Sequence, residues 1–139
     1  MAWESYNLDK EAHDLVAKYR DADVLNQGYK MRTTAAYGLE RFWGEQLRLK
    51  GQEAAYWRDA WKTFADIMTQ AGIKLPSINP KDTAAIKQTA SALWNMEADY
   101  RKVSLAILIQ FCDSIVWWTQ RYKQQDSTSS KQGKKHEQR

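Results

Sequence analysis

The stretch KDTAAIKQTASALWNMEADYRKVSLAILIQFCDSIVWWTQRYKQQDSTSSKQ, Lys81 to Gln132, contains neither glycine nor proline. Those two residues are the strongest local interrupters of regular structure. Within it the apolar side chains recur at helical spacing. Ala85, Ile86, Thr89, Leu93 and Met96 make one face, and Tyr100, Val103, Ile107, Leu108, Phe111, Cys112, Ile115 and Trp118 make the next. A single helix over the whole stretch is unusual for a globular domain. The spacing therefore predicts a break between Asn95 and Asp99, giving helices four and five. Between Leu105 and Val116 the apolar residues run almost all the way round, which predicts a central helix surrounded by the others.

Working towards the N-terminus, Asn79-Pro80 reads as a helix start, a cap followed by proline at the first helical position, with Asp82 in the first turn. Residues Ile73 to Asn79 read as a loop. Ala54, Trp57, Trp61, Phe64, Ala65 and Met68 form one stripe, predicting helix three over Glu53–Ala71 with Gly72 as its left-handed C-terminal cap. Trp57, Trp61 and Phe64 read as core. Gly51 is expected to end helix two, Met31–Leu49, whose apolar face is Ala35, Leu39, Phe42 and Trp43, extended by Leu47. Gly38 and Gly44 inside it read as points of close helix packing or of approach by a partner. Helix one is expected over Leu8–Leu25, capped by Asn7, with Asp9 and Glu11 in its first turn and Ala12, Leu15, Val16 and Tyr19 inward. Gly28 reads as the turn that follows. The fold class is all-α, a compact bundle of about five helices with short connections.

The chain has 139 residues and a formal charge of +4. Residues 1–120 hold 15 basic and 15 acidic side chains, so the excess lies from Arg121 onward. The segment DSTSSKQGKKHEQR has nothing apolar to bury. The expected organisation is a helical bundle domain at 1–124 and a disordered basic tail at 125–139. Cys112 is the only cysteine, in an apolar run, and reads as a buried thiol. The N-terminus lacks a basic segment followed by an apolar one. Val103 to Trp118, interrupted by Ser104, Gln110, Asp113 and Ser114, reads as too short and too polar to span a bilayer. A cytoplasmic protein with no membrane partner is the expectation.

Catalytic patterns are not visible. His13 and His136 are the only histidines. Asp9 and His13, four apart, share a helical face, but no HExxH, CxxC or Glu-x-x-His pattern accompanies them. Neither a glycine-rich phosphate loop nor a nucleophile with its base is evident. The expectation is a non-enzyme with no metal and no cofactor.

Nucleic-acid contact is better supported. Lys30, Arg32, Thr33 and Thr34 lie where helix two is expected to begin, and exposed backbone N–H groups there suit a phosphate. Arg41 and Arg48, seven apart, would continue a ridge down that helix, with Lys50, Arg58 and Lys62 nearby. Glu40, Glu45, Glu53 and Asp59 are the acids that would instead make this a mixed-charge face. Seven Trp and seven Tyr exceed the needs of a small core, which points to a partner. Trp117 and Trp118 are adjacent and point about 100° apart on a helix. If Trp118 faces inward, Trp117 is available as an interface or a base-stacking platform. Trp3, Tyr6 and Tyr29 are further interface candidates.

GYKMRTTAAYGLERFW at Gly28 to Trp43, the chain's size, its neutral helical body and the basic end SSKQGKKHEQR carry a resemblance. The chain resembles the small all-helical subunit of CRISPR interference complexes, most like that of type I-D systems. There the small subunit is made by internal translation start within the large-subunit gene. The beginning Met1-Ala2-Trp3 would suit the C-terminal part of such a longer protein. The resemblance implies a non-catalytic structural subunit of an RNA-guided antiviral ribonucleoprotein, self-associating in a stacked array. Its basic residues would touch the backbone of guide RNA and target DNA, as guide–target duplex or displaced strand, beside other subunits of the complex. The alternative is a helical protein–protein adaptor or inhibitor with no nucleic-acid contact.

Overall fold

The computed structural model describes the backbone of residues 5–76 and 82–138 and the side chains of residues 7–76 and 82–123. Every regular element among them is helical. There are six α-helices: α1 (Ser5–Lys18), α2 (Gln27–Ala35), α3 (Leu39–Arg48), α4 (Gly51–Gln70), α5 (Thr83–Trp94) and α6 (Ala98–Gln138), with a single 3-10 turn at Arg20–Ala22 between α1 and α2. The expected disordered tail at 125–139 lies outside the residues whose side chains are described, as does Trp3, and the Asn79-Pro80 start lies outside the described residues altogether.

The extra helix comes from dividing the expected Met31–Leu49 helix. Thr34 and Ala35 carbonyls accept from Tyr37 and Gly38 N–H at 2.9 and 3.2 Å, closing α2 in a tight turn. Gly38 then takes φ +116, a conformation that L side chains avoid, and redirects the chain into α3. Gly44 does not mark close packing: a Cβ placed there meets nothing within 4 Å. The close approach is at Gly28, expected as a turn but placed inside α2. A Cβ there would stand 3.0 Å from Thr119 Oγ1 and 3.1 Å from Ile115 Cγ2 on α6. Gly51 opens α4 rather than closing the helix before it. Gly72 does terminate α4, with Gly72 N–H on Thr69 O at 3.0 Å and Ile73 N–H on Met68 O at 2.9 Å, the two bonds of a Schellman motif. Because α1 is already helical at Ser5, Asn7 is an interior residue and not a cap. Asp82 caps α5, its Oδ1 accepting from Ala85 N–H at 2.8 Å. The break between α5 and α6 falls at Asn95–Glu97.

The expected apolar faces of α1 and α4 are buried to the last residue, as are Ala35, Leu39, Phe42 and Trp43. Leu47 is instead exposed. The central helix is α4, which touches α1, α2, α3 and α6 and buries Tyr56, Trp57, Phe64 and Met68. The last helix is not surrounded. Packed against α1 and α2, α6 buries Ile107, Leu108, Phe111, Cys112 and Ile115 but leaves Ala106, Gln110, Asp113 and Trp117 in solvent. By length and composition alone Ala98–Lys123 is able to cross a membrane, contrary to the reading of Val103–Trp118. Helix α5 packs chiefly on α3 and fully buries only Thr89 and Leu93.

Candidate nucleic-acid interface

Helix α2 carries Lys30 and Arg32 and no acid, and α6 from Ser114 to Lys123 carries Arg121 and Lys123 and no acid. The Gly28 crossing lays these two segments side by side and antiparallel. At one end Lys123 donates to the Asn26 side-chain oxygen, and its Nζ stands 5.6 Å from the Tyr29 ring centre. At the other, Arg32 Nε donates to Asp113 Oδ1 at 2.6 Å. Asp113, one residue before that stretch of α6, is the acid that meets α2, and a cation covers it.

Trp117 and Arg121, one turn apart, lie further round α6 on its outward side. The Arg121 guanidinium lies 3.7 Å from the Trp117 ring centre, and its Nη1 donates to Trp117 O at 3.3 Å. Trp117 is 46% exposed, whereas Trp118 is half-buried against α1. Trp118 Nε1 donates to Asp9 Oδ1 at 3.1 Å, and the His13 ring meets its ring edge-on at 4.4 Å. His13 Nε2 pairs with Tyr122 Oη at 2.8 Å. Asp9 and His13 therefore both serve an α1–α6 seam, built on Trp118 and Tyr122. Among the described residues no group of three His, Cys, Asp or Glu side chains is placed to hold a metal. Burial pushes the Cys112 thiol well above its ordinary pKa, so it holds its proton.

The expected phosphate site at the start of helix two is not there. Helix α2 begins at Gln27, so Lys30 to Thr34 lie within it. Its first three N–H groups, of Gln27, Gly28 and Tyr29, donate to Val24, Leu25 and Asn26 carbonyls. Thr33 Oγ1 donates to Tyr29 O at 3.2 Å. The ridge from Lys30 to Arg48 is likewise divided between α2 and α3. Arg41 is exposed on α3, and Arg48 is held by Glu45, Nη2 to Oε2 at 2.7 Å; that bond raises the Arg48 pKa. Lys50 and Arg58 are exposed at and within α4. Lys62 lines a cleft of about 270 Å³ between α1 and α4, where Glu11, Asp14, Asp59 and Asp66 face Lys18 and Lys62. Sequence reasoning assigns Arg121 and Lys123 to the tail's charge. Their spacing after Trp117, four and six residues along one helix, is the signal that places them on the body.

Within the cleft, burial pushes the Asp59 carboxyl up. Hydrogen bonds from Tyr19 and Lys18, with the Lys18 and Arg58 charges, outweigh this and hold it below the ordinary value. A carboxylate held down in the folded state stabilises above its unfolded pKa of about 3.9. That stabilisation is lost as pH falls through the folded value. Asp59→Asn is expected to lower the Tm at pH 7, with the gap to wild type closing towards pH 3. Thermal unfolding followed by circular dichroism across that range checks it.

No protein family, characterised protein or solved structure that was compared matches this chain.

Proposed function

We propose that the chain is a non-catalytic subunit of a larger ribonucleoprotein assembly, holding a nucleic-acid backbone against the edge made by α2 and the second half of α6. One observation carries this reading: α2 and the second half of α6, from Ser114 to Lys123, hold basic side chains and no acid in a body that is neutral in sum. Four acids and two lysines line the α1–α4 cleft, while Arg32 and Lys123 sit at the α2–α6 seam with a single, already paired acid, and Arg121 lies further round α6 beside Trp117. Sorting of this kind gives a neutral body a face for a polyanion. The resemblance to the small subunits of CRISPR interference complexes supplies the RNA-guided setting and the neighbouring subunits. Contacts of this kind position a backbone without reading sequence.

The test is salt-dependent binding of a fluorescent oligonucleotide. Wild-type affinity is expected to fall linearly in log–log form as salt rises. Arg121→Glu with Lys123→Glu is expected to lower the slope by about 2, one for each phosphate that these two cations neutralise. An unchanged slope and affinity in this double variant overturns the placement. Arg41→Glu with Arg48→Glu tests the same function on α3; if only that pair abolishes binding, the backbone lies there instead.

A second reading, a protein adaptor, is favoured by the corner around Arg101. That side chain donates to Glu40 on α3 at 3.0 Å and to Trp94 O on α5 at 3.3 Å. Around it Tyr37 (70%), Trp94 (59%), Tyr100 (50%) and Val103 (47%) are exposed. Partner binding that persists at high salt and is lost with Trp94→Ala distinguishes this reading.

A further inference from the structure

Resting on the nucleic-acid reading, we infer that Trp117 is a stacking platform for an unpaired base, so that the occupant of the α2–α6 edge is single-stranded. Three features of the ring carry this. Its orientation is set before any ligand arrives. The Trp117 ring meets Trp118 edge-on at 4.7 Å and 79°, and Trp118 is fixed to α1 through Asp9 and His13. A ring already held loses little side-chain freedom on binding.

The ring also comes with its charge. Arg121 covers one face of the Trp117 ring and is anchored on the Trp117 carbonyl, so a base would take the opposite face, with a guanidinium one ring away. Aromatic rings with adjoining cations are how proteins hold single strands, because every base presents a π-face. In a duplex those faces are occupied by neighbouring base pairs.

Finally, the surroundings of Trp117 are polar. On the outward side of α6 its neighbours one turn away are Asp113, Gln120 and Arg121, with Gln110 two turns away, all exposed. A protein hot spot centres a tryptophan among well-packed side chains that exclude water. The row Trp117, Gln120, Lys123, three apart along the helix, leads across its surface to Tyr29, which carries the second cation over a ring. Along the helix axis Trp117 and Lys123 are about 9 Å apart by the rise per residue. A strand lying along this row meets ring, amide, cation and ring in turn.

The experiment compares binding of the full chain to a labelled single-stranded oligothymidylate and to an abasic sugar–phosphate strand of equal length at one salt concentration. Wild type is expected to favour the base-bearing strand by roughly five- to a hundredfold. Trp117→Ala is expected to erase that preference and leave affinity for the abasic strand unchanged. Trp117→Phe, which keeps a ring, is expected to retain most of it. Equal wild-type affinity for both strands overturns the stacking inference while leaving phosphate contact standing. Failure to bind either strand overturns both.

Discussion

Trp57→Ala is expected to cost about 3–5 kcal/mol of folding stability, the largest effect of any single truncation proposed for this chain. The indole is 1% exposed at the centre of α4 and packs on Phe42 at 5.0 Å. It is also a hydrogen-bond donor inside the core. Nε1 donates to Gln27 Oε1 at 2.8 Å, and Gln27 Nε2 in turn donates to Glu53 Oε2 at 2.7 Å. Gln27 is itself only 3% exposed, so removing the indole opens a cavity and also leaves a buried amide oxygen unpaired. With domain stabilities of about 5–15 kcal/mol, the alanine variant stands at the edge of folding. Trp57→Phe separates the two contributions. It keeps the ring volume in large part and loses the donor, so a cost of about 1–3 kcal/mol is expected from it. Urea titration followed by helical circular dichroism measures both, and a phenylalanine variant as stable as wild type would remove the Gln27 bond from the account.

Gly28→Val is expected to be the next most damaging change, at about 1–3 kcal/mol and loss of the α2–α6 crossing geometry. A single Cβ at Gly28 already approaches Thr119 Oγ1 to 3.0 Å and Ile115 Cγ2 to 3.1 Å. The Thr119 hydroxyl is not free to swing aside without loss, because it donates to Ile115 O at 2.7 Å. Gly44→Ala is the matched control. That position is helical, has open space around it and carries no positive φ, so alanine is expected to stabilise by about 0.5–1 kcal/mol. The opposite signs of two glycine substitutions in neighbouring helices, read by the same urea titration, test the packing directly. Equal responses at the two sites would mean that α2 does not approach α6 as described.

Much of this fold is legible in the sequence because the apolar side chains of α1 and α4 keep an uninterrupted helical period. Ala12, Leu15, Val16 and Tyr19, and Trp57, Trp61 and Phe64, need no tertiary information to be placed inward. The split of the expected second helix is not legible. Gly38 in a helical pattern looks the same whether it is tolerated or broken, and the decision belongs to Leu39, Phe42 and Trp43, which bury only after the chain turns. The three internal glycines likewise have three different uses, a break at Gly38, an open position at Gly44 and a contact at Gly28, and only the partner helix distinguishes them.

The site is legible in kind but not in place. Arg32 and Tyr29 stand out in the sequence, and the crossing of α2 on α6 brings both against α6, to Asp113 and Lys123; Trp117 stands on the outward side of α6. Arg121 and Lys123 are missed when the chain is divided by charge, because the relevant unit is the continuous helix. Arg48 reads as available by charge alone and is held by Glu45 in the fold. Ion pairing three residues apart is present in the spacing; its outcome depends on the rotamers chosen at the surface of α3.

The acid-rich cleft is built on α1 and α4, and the acid-free stretches are on α2 and α6. A body whose charges cancel in sum but not in position is a dipole. In the field of a polyanion such a body feels little net pull at a distance and a turning moment as it comes near. On the function proposed above, the α2–α6 edge would swing to face the strand and the acid-rich cleft of α1 and α4 would not. Orientation, more than attraction, is then what the charge pattern contributes. In the stacked assembly proposed above, a molecule that aligns before it lands would make fewer misdirected encounters than one that is merely basic.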